Sequence, residues 1–230
     1  MEGWGSGKGT LERRAVLAAL LAGAGALALP GCASMGQGGQ VEVVRRLLAL
    51  STQRAFARLT QPDGFWNSAV ARINLPVLFG KPGSIASKVL KSSVFREKLQ
   101  HLLNNIAEDG ARRAAPVVAE AVRGTAIGDG AALLKGGRTA ATTYLRQAMG
   151  PALVNAMIPE LDQVMRAADD PILGQAIGAL SGVNIQDAAH ALALEADNAI
   201  WYEIGASEAE IRENPASTND PVLIAGLKLS

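Results

Sequence analysis

Cys32 is the residue whose type and position most clearly indicate chemistry. It is the only cysteine of the 230-residue chain, and it follows Leu29-Pro30-Gly31 at the end of an apolar run that begins at Ala15. A single thiol cannot form an intramolecular disulfide, but a thiol in this position can be acylated. The chemistry that the residue predicts is therefore attachment of a lipid anchor.

The segment before Cys32 has the pattern of an export signal. A polar stretch with Lys8, Arg13 and Arg14 precedes an apolar run that ends at Pro30, and this run is shorter than the roughly 20 apolar residues that cross a bilayer. A charged stretch, a short apolar run and a small residue before the cut are typical of secretory signals. With the cysteine after it, the pattern resembles the lipobox of bacterial lipoproteins. The arginine pair indicates twin-arginine export, and the general secretory route is the alternative.

These observations divide the chain into three parts. We expect residues 1–31 to be a cleaved signal peptide, residues 32–40 to be the lipidated Cys32 with a flexible tether rich in Gly and Gln, and residues 41–230 to be a single domain. Ala33 stands where an inner-membrane retention signal would have Asp. The expected location is therefore the cell envelope facing the periplasm, on the outer membrane rather than the inner one.

The expected partners follow from this location. The protein should reach the membrane through its anchor, and an envelope protein or an apolar ligand is expected as a further partner. Nucleic acid is not expected, because no basic stripe interleaved with aromatic residues appears in the sequence.

Away from Cys32, no set of residues has the spacing of a catalytic, metal or cofactor site. His101 and His190 stand alone, whereas a catalytic zinc site usually needs three ligands at set spacing. Asp169-Asp170 is more typical of a turn and helix cap than of a cation site. The segment from Gly5 to Thr10 looks like a phosphate-binding loop, but it lacks Ser or Thr directly after Lys8. We therefore expect no cofactor, no metal and no enzymatic activity.

The composition favours helices over sheets. Hydrophobic residues make up 49% of the chain and aromatic residues 4%, Ala is abundant, and runs of β-branched residues are few. Apolar residues recur at helical spacing at 41–59, at 95–106 and at 153–165. The sequence predicts an all-α fold, an irregular bundle of short, kinked helices.

Proline residues mark several expected helix boundaries. Pro116 should end one helix and begin another at Val117. An Ala-rich helix is expected from Ile185 to Ile204, followed by a separate charged turn at Glu208 to Glu213 and a stop at Asn214-Pro215.

Charge is distributed unevenly along the mature chain. Residues 32–146 hold 16 Lys and Arg against 7 Asp and Glu, whereas residues 147–230 hold 3 against 12. The first segment could form a basic face for an anionic partner such as lipid head groups. The favoured interpretation is that the two segments pack together and complement each other.

Five short segments in a fixed order resemble a known family. They are Asp63-Gly64-Phe65, Arg72 to Pro76, Ala140 to Leu145, Ala199 to Ile204 and Ile211 to Pro215. In order and spacing they are similar to the domain-of-unknown-function family 4197, which consists of exported bacterial proteins. The resemblance covers most of the mature chain and implies an exported protein, without an established activity. The chain departs from the pattern at Ala216 to Asn219 and between Met165 and Ile185, where a stretch expected to contain tyrosine is shortened.

The candidate structural or binding residues come largely from these segments. They are Asp63, Gly64, Phe65, Trp66, Arg72, Pro76, Tyr144, Trp201, Tyr202, Arg212 and Pro215. Asp63 and Arg72 are expected to form a buried ion pair that fixes the Asp-Gly-Phe turn against the core. Trp66, Trp201 and Tyr202 either pack in the core, which is the favoured interpretation, or line a groove for a lipid or peptide.

Three functions are consistent with these residues. The first hypothesis is a non-enzymatic binding or scaffolding module of the envelope. The alternative is a carrier of a lipid-like ligand, which predicts an apolar cavity near Trp66 or Trp201. An uncharacterised hydrolase is the third hypothesis, and it predicts a cleft with a nucleophile beside His101 or His190.

Overall fold

The computed structural model describes residues 36–75, 92–167, 170–178 and 184–229. These residues form nine α-helices and one short 3₁₀-helix and contain no strand, so the predicted all-α class is confirmed. The helices are α1 (Gln37–Leu59), α2 (Gly64–Asn67), α3 (Ser93–Gly124), α4 (Gly130–Lys135), α5 (Ala140–Met149), α6 (Ala152–Ala167), α7 (Pro171–Gly178), α8 (Ile185–Glu213) and α9 (Pro221–Lys228), with the 3₁₀-helix (Pro215–Thr218) between α8 and α9. The expected signal peptide, Cys32 and Pro76 lie outside the described residues.

The described residues from Gln37 onward form one compact unit. Helix α6 packs against both α3 and α8, and α1 packs against the same two helices. Each of these four helices contributes a fully buried leucine: Leu47, Leu103, Leu161 and Leu192. Burial of their apolar faces supplies most of the helical stability. None of the described helices combines the length and apolarity that crossing a membrane requires.

The first helix begins earlier than expected. Helix α1 starts at Gln37, so it includes the last residues of the segment 32–40 that the composition predicts as a tether. Gln37 is exposed, and its side-chain amide donates to the Gly128 carbonyl oxygen at 3.0 Å. This contact ties the beginning of α1 to the loop before α4.

The expected break at Pro116 is wrong, because α3 continues through this residue to Gly124. A proline inside a helix removes one backbone hydrogen bond and crowds the preceding turn. Here Pro116 is exposed, whereas Ala111, Ala114 and Val118 around it are buried. Packing on both sides of Pro116 thus outweighs the local penalty.

Helix α8 also runs further than expected. It continues from Ile185 to Glu213, so the separate turn expected at Glu208 to Glu213 is wrong. Ile211 is buried there, and Glu208 has partners in the core. The expected stop is confirmed, because Asn214 caps the helix and Pro215 begins the 3₁₀-helix.

The basic and acidic segments of the chain face each other. Among the described residues, five of the twelve ion pairs join residues 32–146 to residues 147–230. They are Arg46–Asp220, Arg58–Glu203, Arg58–Glu210, Arg138–Glu213 and Arg146–Asp197. The interpretation in which the two segments complement each other is therefore confirmed.

Candidate functional site

A tight turn after α1 carries the Asp-Gly-Phe segment. Asp63 has a left-handed backbone, with φ of 58° and ψ of 24°, a conformation that is uncommon for residues other than glycine. A Cβ on Gly64 would lie 2.4 Å from the carbonyl oxygen of Arg58 and 2.7 Å from that of Leu59. Only glycine fits this approach of α2 to the end of α1. Phe65, the next residue, is fully buried, so its side chain packs the turn against the core.

Helix α3 contacts this turn through a buried glutamate. The Gly64 amide donates to Oε1 of Glu108 at 3.0 Å, and Glu108 is 5% exposed. Burial raises the pKa of the Glu108 carboxyl group, and the hydrogen bond from Gly64 partly offsets this effect. The buried carboxyl group of Glu108 thus accepts a hydrogen bond from the Gly64 amide of the turn.

The buried ion pair expected between Asp63 and Arg72 is wrong. Oδ1 of Asp63 lies 2.9 Å from Nε2 of His101, and both side chains are about two-fifths exposed. The guanidinium group of Arg72 lies over the Trp66 ring, 4.4 Å from its centroid, and its Nε donates to the Trp66 carbonyl oxygen. Trp66 meets the His101 ring edge-on at 4.7 Å. Asp63 and Arg72 thus bond to different partners, His101 and Trp66 respectively.

An open cavity of about 410 Å³ lies beside this turn. We call it the polar pocket. Its charged and polar walls include Arg58, Asp63, Ser68, Glu203 and Glu210, and its apolar walls include Val70 and Ala206. Helix α1 contributes the arginine, helix α8 contributes both glutamates and Ala206, and the turn with its following loop contributes Asp63, Ser68 and Val70. One positive charge thus faces three carboxylates.

Hydrogen bonds fix most of these groups. Arg58 donates to Oε1 of Glu203 at 3.0 Å and to Oε2 of Glu210 at 2.7 Å. The Ser68 hydroxyl donates to Oε2 of Glu203 at 2.8 Å. Glu203 is 3% exposed, whereas about half of the Glu210 side chain is exposed. The hydrogen bond from Arg58 lowers the pKa of the Glu210 carboxyl group, which keeps that carboxylate ionised at the pocket mouth.

Two segments that carry the family resemblance meet at this pocket. Asp63 and Gly64 belong to the first segment, and Glu203 belongs to the segment from Ala199 to Ile204. The Ser68–Glu203 hydrogen bond joins residues 135 positions apart. Sequence reasoning missed Ser68, Arg58 and Glu210 as pocket residues, because no local pattern distinguishes them from other polar residues.

The three aromatic residues do not share a groove. Trp201 is 3% exposed and belongs to the core, where its indole nitrogen donates to Oδ1 of Asp197 at 2.9 Å. Tyr202 is 61% exposed, because successive residues of a helix point in directions about 100° apart. Trp66 packs against His101 and Arg72 on α3 and the loop. Core packing, the favoured interpretation, is confirmed for Trp201 and is wrong for Tyr202.

Arg212 belongs to a buried brace between three helices. Its guanidinium group contacts Oε1 of Glu208 at 2.8 Å and donates to the carbonyl oxygens of Leu133 and Leu134 at the end of α4. Glu208, which is fully buried, accepts from the amides of Ala141 and Thr142 at the beginning of α5. One ion pair on α8 thus satisfies backbone groups at two helix ends.

The remaining candidate residues from the sequence lie outside the walls of the polar pocket. The Tyr144 hydroxyl donates to the carbonyl oxygen of Ala126, and Pro215 begins the 3₁₀-helix. His190 is exposed on α8. Asp170 caps α7 through a 2.7 Å bond from the Ile172 amide, as expected. In the parts of the chain that the structure covers, no group of three or more His, Cys, Asp or Glu could hold a metal ion.

Replacing Gly64 with alanine should lower the free energy of unfolding by about 1–3 kcal/mol, the usual cost of forcing an extra group into a packed site. The added Cβ would press on two backbone carbonyl oxygens, which cannot move aside as a flexible side chain can. Chemical denaturation of purified protein measures the effect. Gly174→Ala on α7 is the control, because its Cβ meets nothing within 4 Å and should be neutral or stabilising. Equal stabilities for the two variants would contradict the close packing of the turn.

One of three comparisons with known proteins agrees with the resemblance in the sequence. A search of curated proteins and a search of solved structures each found no match. The family model described as "Protein of unknown function (DUF4197)" matches residues 34–225. That span includes the turn, the polar pocket and the brace around Arg212. The chain therefore belongs to the DUF4197 family of proteins of unknown function.

Proposed function

We propose that this protein is a lipid-anchored binding module of the bacterial cell envelope, which holds a partner in the polar pocket without transforming it. The location rests on the sequence around Cys32, where an export signal precedes the only thiol. The binding role rests on the polar pocket itself. Several acyl chains on one cysteine would keep the domain at the membrane surface.

The observation that carries the binding role is the fixed charge pattern of the pocket. Glu203 is held by Arg58 and Ser68, and Asp63 is held by His101. Groups that are already in place lose little freedom when a partner arrives, so more of the interaction energy appears as affinity. With three carboxylates against one arginine, the pocket suits a positively charged or hydrogen-bond-donating segment of an envelope protein.

The same contacts favour recognition over catalysis. The Ser68 hydroxyl is bonded to a carboxylate that is itself bonded to Arg58. A nucleophilic serine is instead activated by a base that can take its proton. His101 is bonded to Asp63 and packed against Trp66, and these contacts hold the turn.

Native mass spectrometry of the protein purified from its own envelope tests the proposal. Wild-type protein should carry an added mass that is released on denaturation. Ala206→Trp should lose that mass, because the indole ring would fill the pocket that Ala206 lines. Leu194→Trp, at an exposed position of the same helix, should retain it. An added mass that survives Ala206→Trp, or its absence from the wild-type protein, would contradict the proposal.

A further inference from the structure

A second cavity, of about 350 Å³, lies between α1 and α3. We call it the α1–α3 groove. Its walls include Ala49, Thr52 and Phe56 from α1 and Ala115, Ala119 and Val122 from α3. The cavity is distinct from the polar pocket and has no residue in common with it.

The groove follows from the spacing of small residues on two antiparallel helices. Arg45, near the beginning of α1, donates to the Val122 carbonyl oxygen near the end of α3. Arg112, earlier in α3, donates to the carbonyl oxygen of Thr60, just after α1. Between these crossing points, wall residues recur at three- and four-residue intervals on each helix. Such positions form one helix face, and alanine leaves that face unfilled.

The chemistry of the walls restricts what the groove can hold. Apart from Arg123, two wall residues are polar: Gln53, which is exposed, and Thr52, whose hydroxyl oxygen is inaccessible and has no hydrogen-bond partner among the described residues. Gln53 could bond one backbone group of a peptide placed there, but most of the peptide's amide groups would be left without partners, which is costly. An alkyl chain has no such groups. The volume is in the range of small-ligand sites, whereas a helix is about 10 Å across.

One end of the groove is positively charged. Arg45 is not itself a wall residue, but at this end it donates to the carbonyl oxygens of Val122, Arg123 and Thr125 at 2.5, 2.6 and 3.4 Å, and within the described residues no carboxylate pairs with it. Arg123 borders the groove at the same end, where Glu120 is its partner. Together, α1 and α3 contain nine Lys and Arg against five Asp and Glu. An anionic group is therefore favoured at this end.

We propose that the α1–α3 groove binds one molecule of an anionic amphiphile of the fatty-acid type. The alkyl chain lies along the alanine-lined floor toward Phe56, and the carboxylate lies near Arg45 and Arg123. The occupant is a single amphiphile taken up from solution or from a membrane, and not the membrane surface itself. This inference goes beyond the proposed function, because it rests on a different cavity with different chemistry.

Isothermal titration calorimetry with palmitate tests the inference. The purified mature domain is titrated below the concentration at which palmitate forms micelles. Wild-type protein should bind one equivalent. Ala119→Trp should weaken binding about tenfold or more, because each methylene group excluded from the groove costs a factor of about four in affinity. Ala57→Trp, at an exposed position of α1 outside the groove walls, should bind as the wild type does. Ala115→Leu replaces Ala119→Trp if circular dichroism shows that the latter does not fold.

The attraction between the positive end of the groove and the palmitate carboxylate is tested with the neutral methyl ester of palmitate. Wild-type protein should prefer palmitate to the neutral ester, and Arg123→Gln should reduce that preference. Equal palmitate binding by Ala119→Trp and wild-type protein would overturn the proposal. So would binding to phosphatidylglycerol vesicles without saturable binding of palmitate. Ala206→Trp should leave palmitate binding unchanged, which separates failure of this inference from failure of the polar pocket.

Discussion

Replacing Glu208 with alanine should lower the free energy of unfolding by about 3–5 kcal/mol, the usual cost of removing one partner of a buried ion pair. Glu208 is fully buried and accepts from Ala141, Thr142 and Arg212. Without its carboxylate, two backbone amides at the beginning of α5 lose their partner. The guanidinium group of Arg212, only 12% exposed, would also lose its counter-charge. The whole junction of α4, α5 and α8 should weaken.

Urea denaturation, monitored by circular dichroism, measures this loss. Glu210→Ala is a matched control on the same helix, because its side chain is half exposed and its ion pair is with half-exposed Arg58. Exposed ion pairs contribute at most about 1 kcal/mol. A loss of less than about 1 kcal/mol for Glu208→Ala would show that Arg212 and Glu208 do not brace the fold. Arg212 would then return as a candidate for a binding role.

Replacing Cys32 with serine should abolish lipid attachment completely. Cys32 is the only thiol of the chain, so its replacement leaves no cysteine that could be acylated. Metabolic labelling with an alkyne analogue of palmitate measures the effect: the wild-type protein should be labelled, and the variant should show only background signal. Each buried methylene group contributes about 0.8 kcal/mol to membrane affinity. The labelled protein should therefore remain with washed outer membranes.

The neighbouring substitution Ser34→Ala is the control for the labelling experiment. It lies two positions beyond the cysteine and removes no thiol, so the label should persist. Label that remains on Cys32→Ser would contradict acylation at this residue. Wild-type protein without label would contradict the lipoprotein interpretation as a whole, while the polar pocket would remain as a separate proposal.

Helices held by local signals were predictable from the sequence. Apolar spacing predicts α1 and the middle of α3, and the Asn214-Pro215 stop ends α8 where expected. Prediction failed where tertiary contacts outweigh a local signal. Pro116 does not end α3, because packing on both sides of the proline maintains the helix.

The polar pocket was only partly predictable. The Asp-Gly-Phe turn stands out in the sequence, because glycine after a turn residue indicates a restricted backbone. The partners of that turn do not stand out. His101 has no sequence pattern that links it to the turn, and it lies beside Asp63 only because α3 packs against the turn. Likewise, Glu203 reaches Arg58 across 145 positions of sequence, a distance at which no spacing rule applies.

Site-specific photo-crosslinking in living cells tests whether the polar pocket contacts a partner in the envelope. Val70 lines the pocket and is 48% exposed. Leu194, on the part of α8 away from the pocket walls, is 46% exposed and serves as the matched position. With benzoylphenylalanine at each site, a discrete adduct should form at Val70 and not at Leu194. It should disappear when Glu210→Lys reverses the charge at the pocket mouth. Adducts of equal yield at both positions, or none at Val70, would contradict a binding role of the polar pocket.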